Sequence, residues 1–126
     1  MEDERTILIV DDSTAMRAFI ISGLEELGNF TFVEAKTGFE ALKELPRKKY
    51  TLIISDINMP DINGLELLNF IKTSENYKDI PVLMISTETK EEDLNRALTM
   101  GANDYLTKPF DLKTLQKKVK KLLGLK

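Results

Sequence analysis

Short strand-like segments alternate with helix-like segments along the whole chain, and this alternation limits the folds that it can adopt. Residues 7–10, 51–55 and 82–85 form apolar runs, as expected of strands that are covered on both faces. Residues 30–34 and 104–107 are partly polar strand-like segments. Five strands alternating with five helices predict an α/β fold, with a doubly wound parallel sheet and right-handed crossovers.

The helix-like segments carry apolar residues on one face. In the first helix these are Met16, Ile20, Leu24 and Leu27. Ser13 is its predicted N-cap and Gly28 its predicted stop. Shorter helices are predicted over residues 39–45, 65–72 and 91–100. The last helix, for which Asp111 is the predicted N-cap, has apolar residues at helical spacing: Leu112, Leu115, Val119 and Leu122.

The polarity of the strands predicts their order. Partly polar strands suit the edges of a sheet, so the second and fifth strands are expected to be outermost. The order 2-1-3-4-5 satisfies this condition, whereas 3-2-1-4-5 would leave the very apolar third strand at an edge. The chosen order places a topological switch point between strands one and three, where sheets of this class bind ligands.

Charged and hydroxyl side chains follow the strands at their predicted carboxyl ends. Asp11 and Asp12 follow the first strand, Asp56 the third, Ser86 the fourth and Lys108 the fifth. Because the carboxyl ends of parallel strands meet at one edge of the sheet, these residues are expected to converge. Each one alone is a weak signal, since Asp is common in turns and near helix N-termini. The complete set indicates a functional site.

Converging carboxylates repel one another unless cations join them. Asp11, Asp12 and Asp56, with the backbone carbonyl of Asn58, offer the oxygen ligands that Mg²⁺ prefers. Ca²⁺ stays an alternative, whereas Zn²⁺ is disfavoured because the chain has no Cys and no His. A carboxylate can accept a phosphoryl group, and the metal, Lys108 and a hydroxyl would stabilise the transition-state charge. The sequence therefore predicts a site that handles phosphate.

Composition narrows the classes of function. The net charge of −3 argues against nucleic acid as the main ligand, and no apolar run is long enough to span a bilayer. The absence of Cys excludes thiolate chemistry and fits the cytoplasm. Because the chain has no His, any histidine that takes part comes from a partner. We expect a single domain over residues 1–126, with no output domain, acting without direct contact to nucleic acid or membrane.

Three segments resemble the receiver domains of two-component response regulators. They are IVDDS at residues 9–13, SDINMP at residues 55–60 with Gly64, and GANDYLTKPF at residues 101–110. The resemblance covers essentially the whole chain and is closest to stand-alone chemotaxis-type (CheY-like) receivers. These proteins have the flavodoxin-like strand order 2-1-3-4-5, so the resemblance and the predicted order are not independent.

The resemblance implies a role for each residue of the acidic edge. Asp56 would accept a phosphoryl group from the phosphohistidine of a histidine kinase or a histidine phosphotransfer protein. Asp11, Asp12, Asp56 and the backbone carbonyl of Asn58 would hold Mg²⁺. Lys108 would bind the phosphoryl group. Self-catalysed hydrolysis would then reset the protein, which would act as a signalling switch and not as an enzyme on other substrates.

The resemblance also implies how the switch would be transmitted. Ser86 would be the switch hydroxyl and Tyr105 the switch aromatic, which together change the surface of the fourth helix, fifth strand and fifth helix. A downstream target protein would bind this surface, with the receiver a monomer or a weak dimer on activation. A cis peptide bond is expected between Lys108 and Pro109.

Three positions next to the predicted site are expected to tune the rates. Asn58 and Glu88 would flank the phosphoryl group, although both could equally be solvated loop residues. Thr87 stands where many receivers have Ala or Gly. A larger, β-branched side chain there predicts slower phosphoryl turnover.

Particular residues of the chain disfavour three rival functions. A phosphohydrolase of the haloacid dehalogenase type also uses an Asp nucleophile and Mg²⁺, but it needs an acid where this chain has Asn58. A flavodoxin-like FMN carrier needs hydroxyl side chains after the first strand, where this chain has two carboxylates. A receiver that acts only by docking is disfavoured because the acceptor-site residues are all present.

Overall fold

Five parallel strands form one sheet in the computed structural model, which describes residues 5–87 and 91–125. The sheet order is β2-β1-β3-β4-β5, so the predicted fold class and the two predicted edge strands are confirmed. The strands are β1 (Arg5–Val10), β2 (Phe30–Ala35), β3 (Leu52–Asp56), β4 (Val82–Ser86) and β5 (Asp104–Thr107).

Within the described residues, five α-helices connect and follow the strands. They are α1 (Thr14–Glu25), α2 (Gly38–Glu44), α3 (Gly64–Thr73), α4 (Glu91–Thr99) and α5 (Leu112–Leu123). The predicted N-caps are confirmed: the Ser13 hydroxyl accepts the Met16 N–H, and the Asp111 carboxylate accepts the Thr114 N–H. Within the part of the chain that the structure describes, no helix is long and apolar enough to cross a membrane.

Several predicted boundaries were wrong by one to three residues. Helix α1 ends at Glu25, so Leu27 and Gly28 lie in the turn beyond it and Gly28 is not the residue that stops the helix. Helix α2 begins at Gly38, and its predicted last residue belongs instead to a 3₁₀ turn over Leu45–Arg47. Pro46 has no N–H to donate, which explains why the α-helical bonding stops there.

The two faces of the sheet bury separate apolar clusters. Leu8 and Val10 face the cluster that includes residues of α2, α3 and α4, whereas Ile7 and Ile9 face the cluster formed with α1 and α5. Both faces are therefore covered, which explains the unbroken apolar run of β1. Polar side chains are accommodated at the carboxyl ends of the strands, and the predicted site residues Asp11, Asp56 and Ser86 lie there.

Candidate functional site

Three carboxylates and one ammonium meet at the carboxyl end of the sheet. Asp11, Asp12 and Asp56 each place a carboxylate oxygen within 4.8 Å of the others. The Nζ of Lys108 lies 2.9 Å from Oδ2 of Asp11 and 3.2 Å from Oδ2 of Asp56. One lysine cannot balance three carboxylates, so this edge keeps an excess of negative charge that a divalent cation would complement.

The backbone of β1 fixes Asp11 more firmly than Asp12. The Asp11 N–H donates to the Ala35 carbonyl at 3.0 Å, which continues the β1–β2 ladder. Its carboxylate accepts the Ser13 N–H through Oδ1 at 2.9 Å and Lys108 through Oδ2. Asp11 is therefore buried with both oxygens engaged, while the neighbouring Asp12 is exposed at the mouth of the site.

Asp56 is the last residue of β3 and lies almost fully buried, with 5% of its surface exposed. Its Oδ1 accepts the Asn58 N–H at 3.2 Å, and its Oδ2 accepts the Lys108 ammonium. Burial is the main cause that raises the pKa of Asp56 above its ordinary value; attraction to Lys108 opposes this, and repulsion from Asp11 adds to it.

The charge of Lys108 is held in place by its partners. Burial acts to lower the pKa of Lys108, but its hydrogen bond to Asp11 and its attraction to the Asp56 and Asp11 carboxylates outweigh burial and raise the pKa. The ammonium is therefore charged at neutral pH and points at the two buried carboxylates. A second anion that arrived beside Asp56 would meet a positive charge already in place.

The donor set fits a hard divalent cation. Carboxylate oxygens on Asp11, Asp12 and Asp56 converge, and Asn58 follows Asp56 closely enough for its N–H to bond the Asp56 carboxylate. Oxygen ligands of this kind suit Mg²⁺, Mn²⁺ or Ca²⁺, and the open side at Asp12 leaves space for water or phosphate oxygens. The residues present are thus compatible with the predicted magnesium site.

The ends of β4 and β5 bring two further predicted residues to the same edge. Ser86 is the last residue of β4 and is fully buried, and its carbonyl accepts the Lys108 N–H at 2.7 Å. The peptide bond between Lys108 and Pro109 is cis. Thr87 is exposed next to Ser86, whereas Glu88 lies outside the described residues.

Tyr105 does not lie in the acidic cluster. It is half-buried on the edge strand β5, in register with Met84 of β4. The Lys118 ammonium lies 5.9 Å from the centre of its ring and 3.0 Å from Oδ1 of Asp104, so one lysine of α5 covers this part of the edge. Tyr105 therefore lies beside α5 on the edge strand, and β4 separates it from β3.

Arg17, whose role was not predicted from the sequence, supports the acidic edge through its buried guanidinium group. Arg17 is 5% exposed; its Nη1 donates to the Asp11 carbonyl at 2.6 Å and its Nε to Oε1 of Glu34 at 2.8 Å. It fixes the turn that carries two of the three carboxylates. The available signal was a charged residue three positions before Ile20, within the apolar stripe of α1.

Comparison with known proteins identifies this arrangement. The profile of the response regulator receiver domain matches residues 7–120. The chain belongs to that family. A chemotaxis protein CheY homolog of Campylobacter jejuni is 38% identical over 119 residues, covering 94% of this chain and 92% of that protein. The solved structure of the chemotaxis response regulator CheY4 of Vibrio cholerae has a TM-score of 0.87 and 34% identity, covering 96% of this chain and all of that one.

Membership confirms the predicted class of function. Receiver domains are phosphorylation-dependent switches that take phosphate from histidine kinases and act on downstream targets. The receiver family also binds divalent metal at its acidic cluster, and the structure of the Mn²⁺-bound response regulator Rcp1 is similar to this chain, with a TM-score of 0.81, 29% identity, and coverage of 95% of this chain and 90% of that one. The phosphohydrolase and flavin-carrier alternatives are therefore set aside.

Proposed function

We propose that Asp56 is the phosphoacceptor of this receiver and that Mg²⁺ is its metal. The position of Asp56 carries the proposal: it ends β3, contacts the Lys108 ammonium at 3.2 Å and lies within 4.8 Å of the Asp11 and Asp12 carboxylates. Hydrogen bonds from Ser13 and Lys108 hold the Asp11 carboxylate in place, which suits it as a metal ligand. Asp12 is exposed, so its carboxylate is open to an entering metal ion.

The chemistry is a direct transfer from a partner's phosphohistidine to Asp56. A carboxylate oxygen attacks phosphorus, the P–N bond breaks, and the leaving imidazole keeps the bonding electrons and takes up a proton. Lys108 neutralises charge on the phosphoryl oxygens as they approach. Mg²⁺, when held by Asp11, Asp12, Asp56 and the Asn58 carbonyl, supplies further neutralisation of that charge. The chain itself has no His, so the donor histidine lies outside these 126 residues.

Phosphorylation would bias the surface formed by α4, β5 and α5. A dianionic group beside Lys108 draws the hydroxyl of Ser86 toward it, and the segment after β4 follows because Ser86 ends that strand. Tyr105, half-buried on the neighbouring β5, would then take up a more buried position. The two arrangements are in equilibrium before phosphorylation, and the phosphate shifts their populations. A target protein in the cytoplasm would bind the shifted surface of the monomer or weak dimer.

Self-catalysed hydrolysis of the aspartyl phosphate would reset the switch. Asn58 and Thr87 are both exposed beside the buried Asp56 and Ser86, where they can control the approach of the attacking water. With Glu88, which lies outside the described residues, they form the proposed rate-tuning set.

Intact mass after incubation with acetyl phosphate tests the proposal. We expect one added phosphoryl group that requires Mg²⁺ and is absent in Asp56→Asn. The matched control is Asp79→Asn, which removes an exposed carboxylate near the opposite end of the sheet and should leave the adduct unchanged.

The outcomes separate the proposal from its rival. An adduct that persists in Asp56→Asn would move the acceptor to another residue. An adduct that forms equally in EDTA would remove the metal from the reaction. No adduct in the unaltered protein, with hydrolysis quenched rapidly and with a phosphorylated histidine kinase also tried, would favour a receiver that signals by docking alone.

A further inference from the structure

Asp61 joins the loop after β3 to the start of α2. Its Oδ1 accepts the Gly38 N–H at 3.0 Å and its Oδ2 accepts the Phe39 N–H at 2.9 Å. Both donors belong to the first turn of α2, where N–H groups have no partner within the helix and a negative charge is favoured. Desolvation acts to raise the pKa of Asp61, but hydrogen bonds from the backbone N–H groups of Phe39, Ile62 and Gly38 outweigh it and lower the pKa.

A second, independent contact lies beside this bridge. A Cβ placed on Gly38 would stand 2.7 Å from the Ile62 Cβ and 3.2 Å from the Ile62 carbonyl oxygen. The start of α2 and the loop over residues 57–63 therefore approach each other as closely as a glycine allows. Backbone and side-chain contacts agree that the loop rests on α2 at this point.

The same loop carries a proposed metal ligand. Its two ends are tied to the sheet and to each other, because the Ile57 N–H donates to the Ile85 carbonyl at 2.9 Å and the Gly64 N–H donates to the Ile57 carbonyl at 2.7 Å. Asn58 and Asp61 lie in the span between these ties. Contact with α2 fixes this span at Asp61 and Ile62, and Asp61 is three residues from Asn58.

We propose that Asp61 is a positioning residue for the metal site, acting through the loop that carries Asn58. The inference rests on the proposed function, since it takes the Asn58 carbonyl to be a magnesium ligand. Anchoring the loop to α2 restricts the conformations of the Asn58 peptide unit before the metal arrives, so less conformational entropy is lost on binding. Asp61 itself need not touch the metal.

Magnesium affinity of the full chain tests this role. Isothermal titration with MgCl₂ is expected to give a Kd about tenfold weaker for Asp61→Ala than for the unaltered protein. Asp61→Asn keeps one acceptor oxygen, so its Kd for Mg²⁺ should fall between those of Asp61→Ala and the unaltered protein. Amide hydrogen exchange should speed up at Gly38 and Phe39 in Asp61→Ala, which reports loss of the bridge itself.

Thr37→Ala is the matched control. Its hydroxyl accepts the Glu40 N–H at 3.1 Å, so this variant removes a cap at the same end of α2 without touching the loop. Its Mg²⁺ Kd should equal that of the unaltered protein. An equal loss of affinity in Thr37→Ala would assign the effect to the stability of α2 and overturn the inference.

Two further outcomes distinguish this inference from the proposed function. Equal Mg²⁺ affinity in Asp61→Ala and the unaltered protein would overturn the positioning role and leave the metal site standing. If the unaltered protein itself binds no Mg²⁺, the proposed metal site fails and the inference fails with it.

Discussion

Two partly buried lysines lie at opposite ends of the sheet and differ in what surrounds them. At the carboxyl end, Lys108 contacts the carboxylates of Asp11 and Asp56. At the amino end, the Nζ of Lys72 donates to the Ile80 carbonyl at 2.8 Å, to the Asn103 side chain at 3.1 Å and to the Lys78 carbonyl at 3.2 Å. All three contacts of Lys72 are to neutral oxygens.

Their pKa values move in opposite directions. Burial lowers the pKa of Lys72, and attraction to Asp79 only partly opposes it. The pKa of Lys108 is raised, because its carboxylate partners outweigh burial. The hydrogen bonds of Lys72 join the end of α3 to Lys78, Ile80 and Asn103. Lys108, in contrast, is surrounded by more negative charge than its single positive charge can balance. Uncompensated negative charge, and not burial or hydrogen bonding, distinguishes the carboxyl end of the sheet from its amino end.

The largest expected effect comes from Lys108→Met. Loss of the ammonium removes the preplaced charge that would stabilise the phosphoryl oxygens, so the rate of phosphorylation by acetyl phosphate should fall on the order of 100-fold. Quenched-flow mass spectrometry at saturating Mg²⁺ measures it. Lys72→Met is the matched control, and a comparable loss of rate in that variant would break the contrast between the two ends.

Lys72→Met should act on stability instead. It leaves the Ile80 carbonyl and the Asn103 side chain without the lysine, and we expect the free energy of unfolding to fall by about 1–2 kcal/mol. Urea unfolding followed by circular dichroism measures this, with Lys78→Met as the control, since Lys78 makes an exposed ion pair with Glu75. An unchanged midpoint of urea unfolding in Lys72→Met would show that the hydrogen bonds of Lys72 contribute nothing to stability.

The raised pKa of Tyr50, which lies at the amino end of the sheet, predicts that the free energy of unfolding decreases at alkaline pH. Burial, and then the nearby Glu44 charge, raise the pKa of Tyr50 to about 12, and its hydroxyl donates to the Glu44 carbonyl at 3.1 Å. An unfolded tyrosine loses its proton near pH 10, so the unfolded state binds fewer protons between pH 10 and 12 and stability falls as the pH rises.

The matched variant for this titration is Tyr50→Phe. Relative to this variant, the unaltered protein should lose about 1 kcal/mol between pH 9 and pH 11, as measured by urea unfolding. The two remaining tyrosines, Tyr77 and Tyr105, are present in both proteins, so their contributions cancel in the difference. Parallel stability curves for the two proteins would refute the prediction.

The smallest expected effect belongs to Thr87→Ala. Removing a β-branched side chain from the exposed position after Ser86 should open the approach to Asp56 and speed both phosphorylation and dephosphorylation by about threefold. Decay of the aspartyl phosphate, followed by intact mass after removal of the donor, measures the second rate. Thr99→Ala, on the exposed end of α4, is the control; unchanged rates in Thr87→Ala would exclude a gate at this position.

The fold was predictable because hydrophobicity separates buried strands from edge strands. The polar residues in β2 and β5 predicted the two edges, and the predicted bounds of β5 agree with the structure. Strand bounds were less predictable: β1 also includes Arg5 and Thr6, because these residues pair with Phe30 and Thr31 of β2, which depends on register and not on apolar character.

The acidic edge was also predictable in outline, since each of its residues ends or follows a strand. What the sequence did not show were the supporting contacts. Arg17 reaches the Asp11 carbonyl, and Asp61 reaches Gly38 and Phe39, which are 23 and 22 positions away in the chain. Such contacts depend on how the loops at this edge of the sheet meet helices α1 and α2 after folding, and no local pattern of residue types encodes that arrangement.

The order of the strands also sets the distance over which a conformational change at Asp56 would have to be transmitted to reach Tyr105. Asp56 ends β3 and Tyr105 lies on β5, so β4 is the one strand between them. Neighbouring strands are about 4.8 Å apart, and two such steps cover roughly 10 Å. In the proposed mechanism, a phosphoryl group on Asp56 affects Tyr105 across a single intervening strand. A change over so short a distance requires no movement of one domain against another.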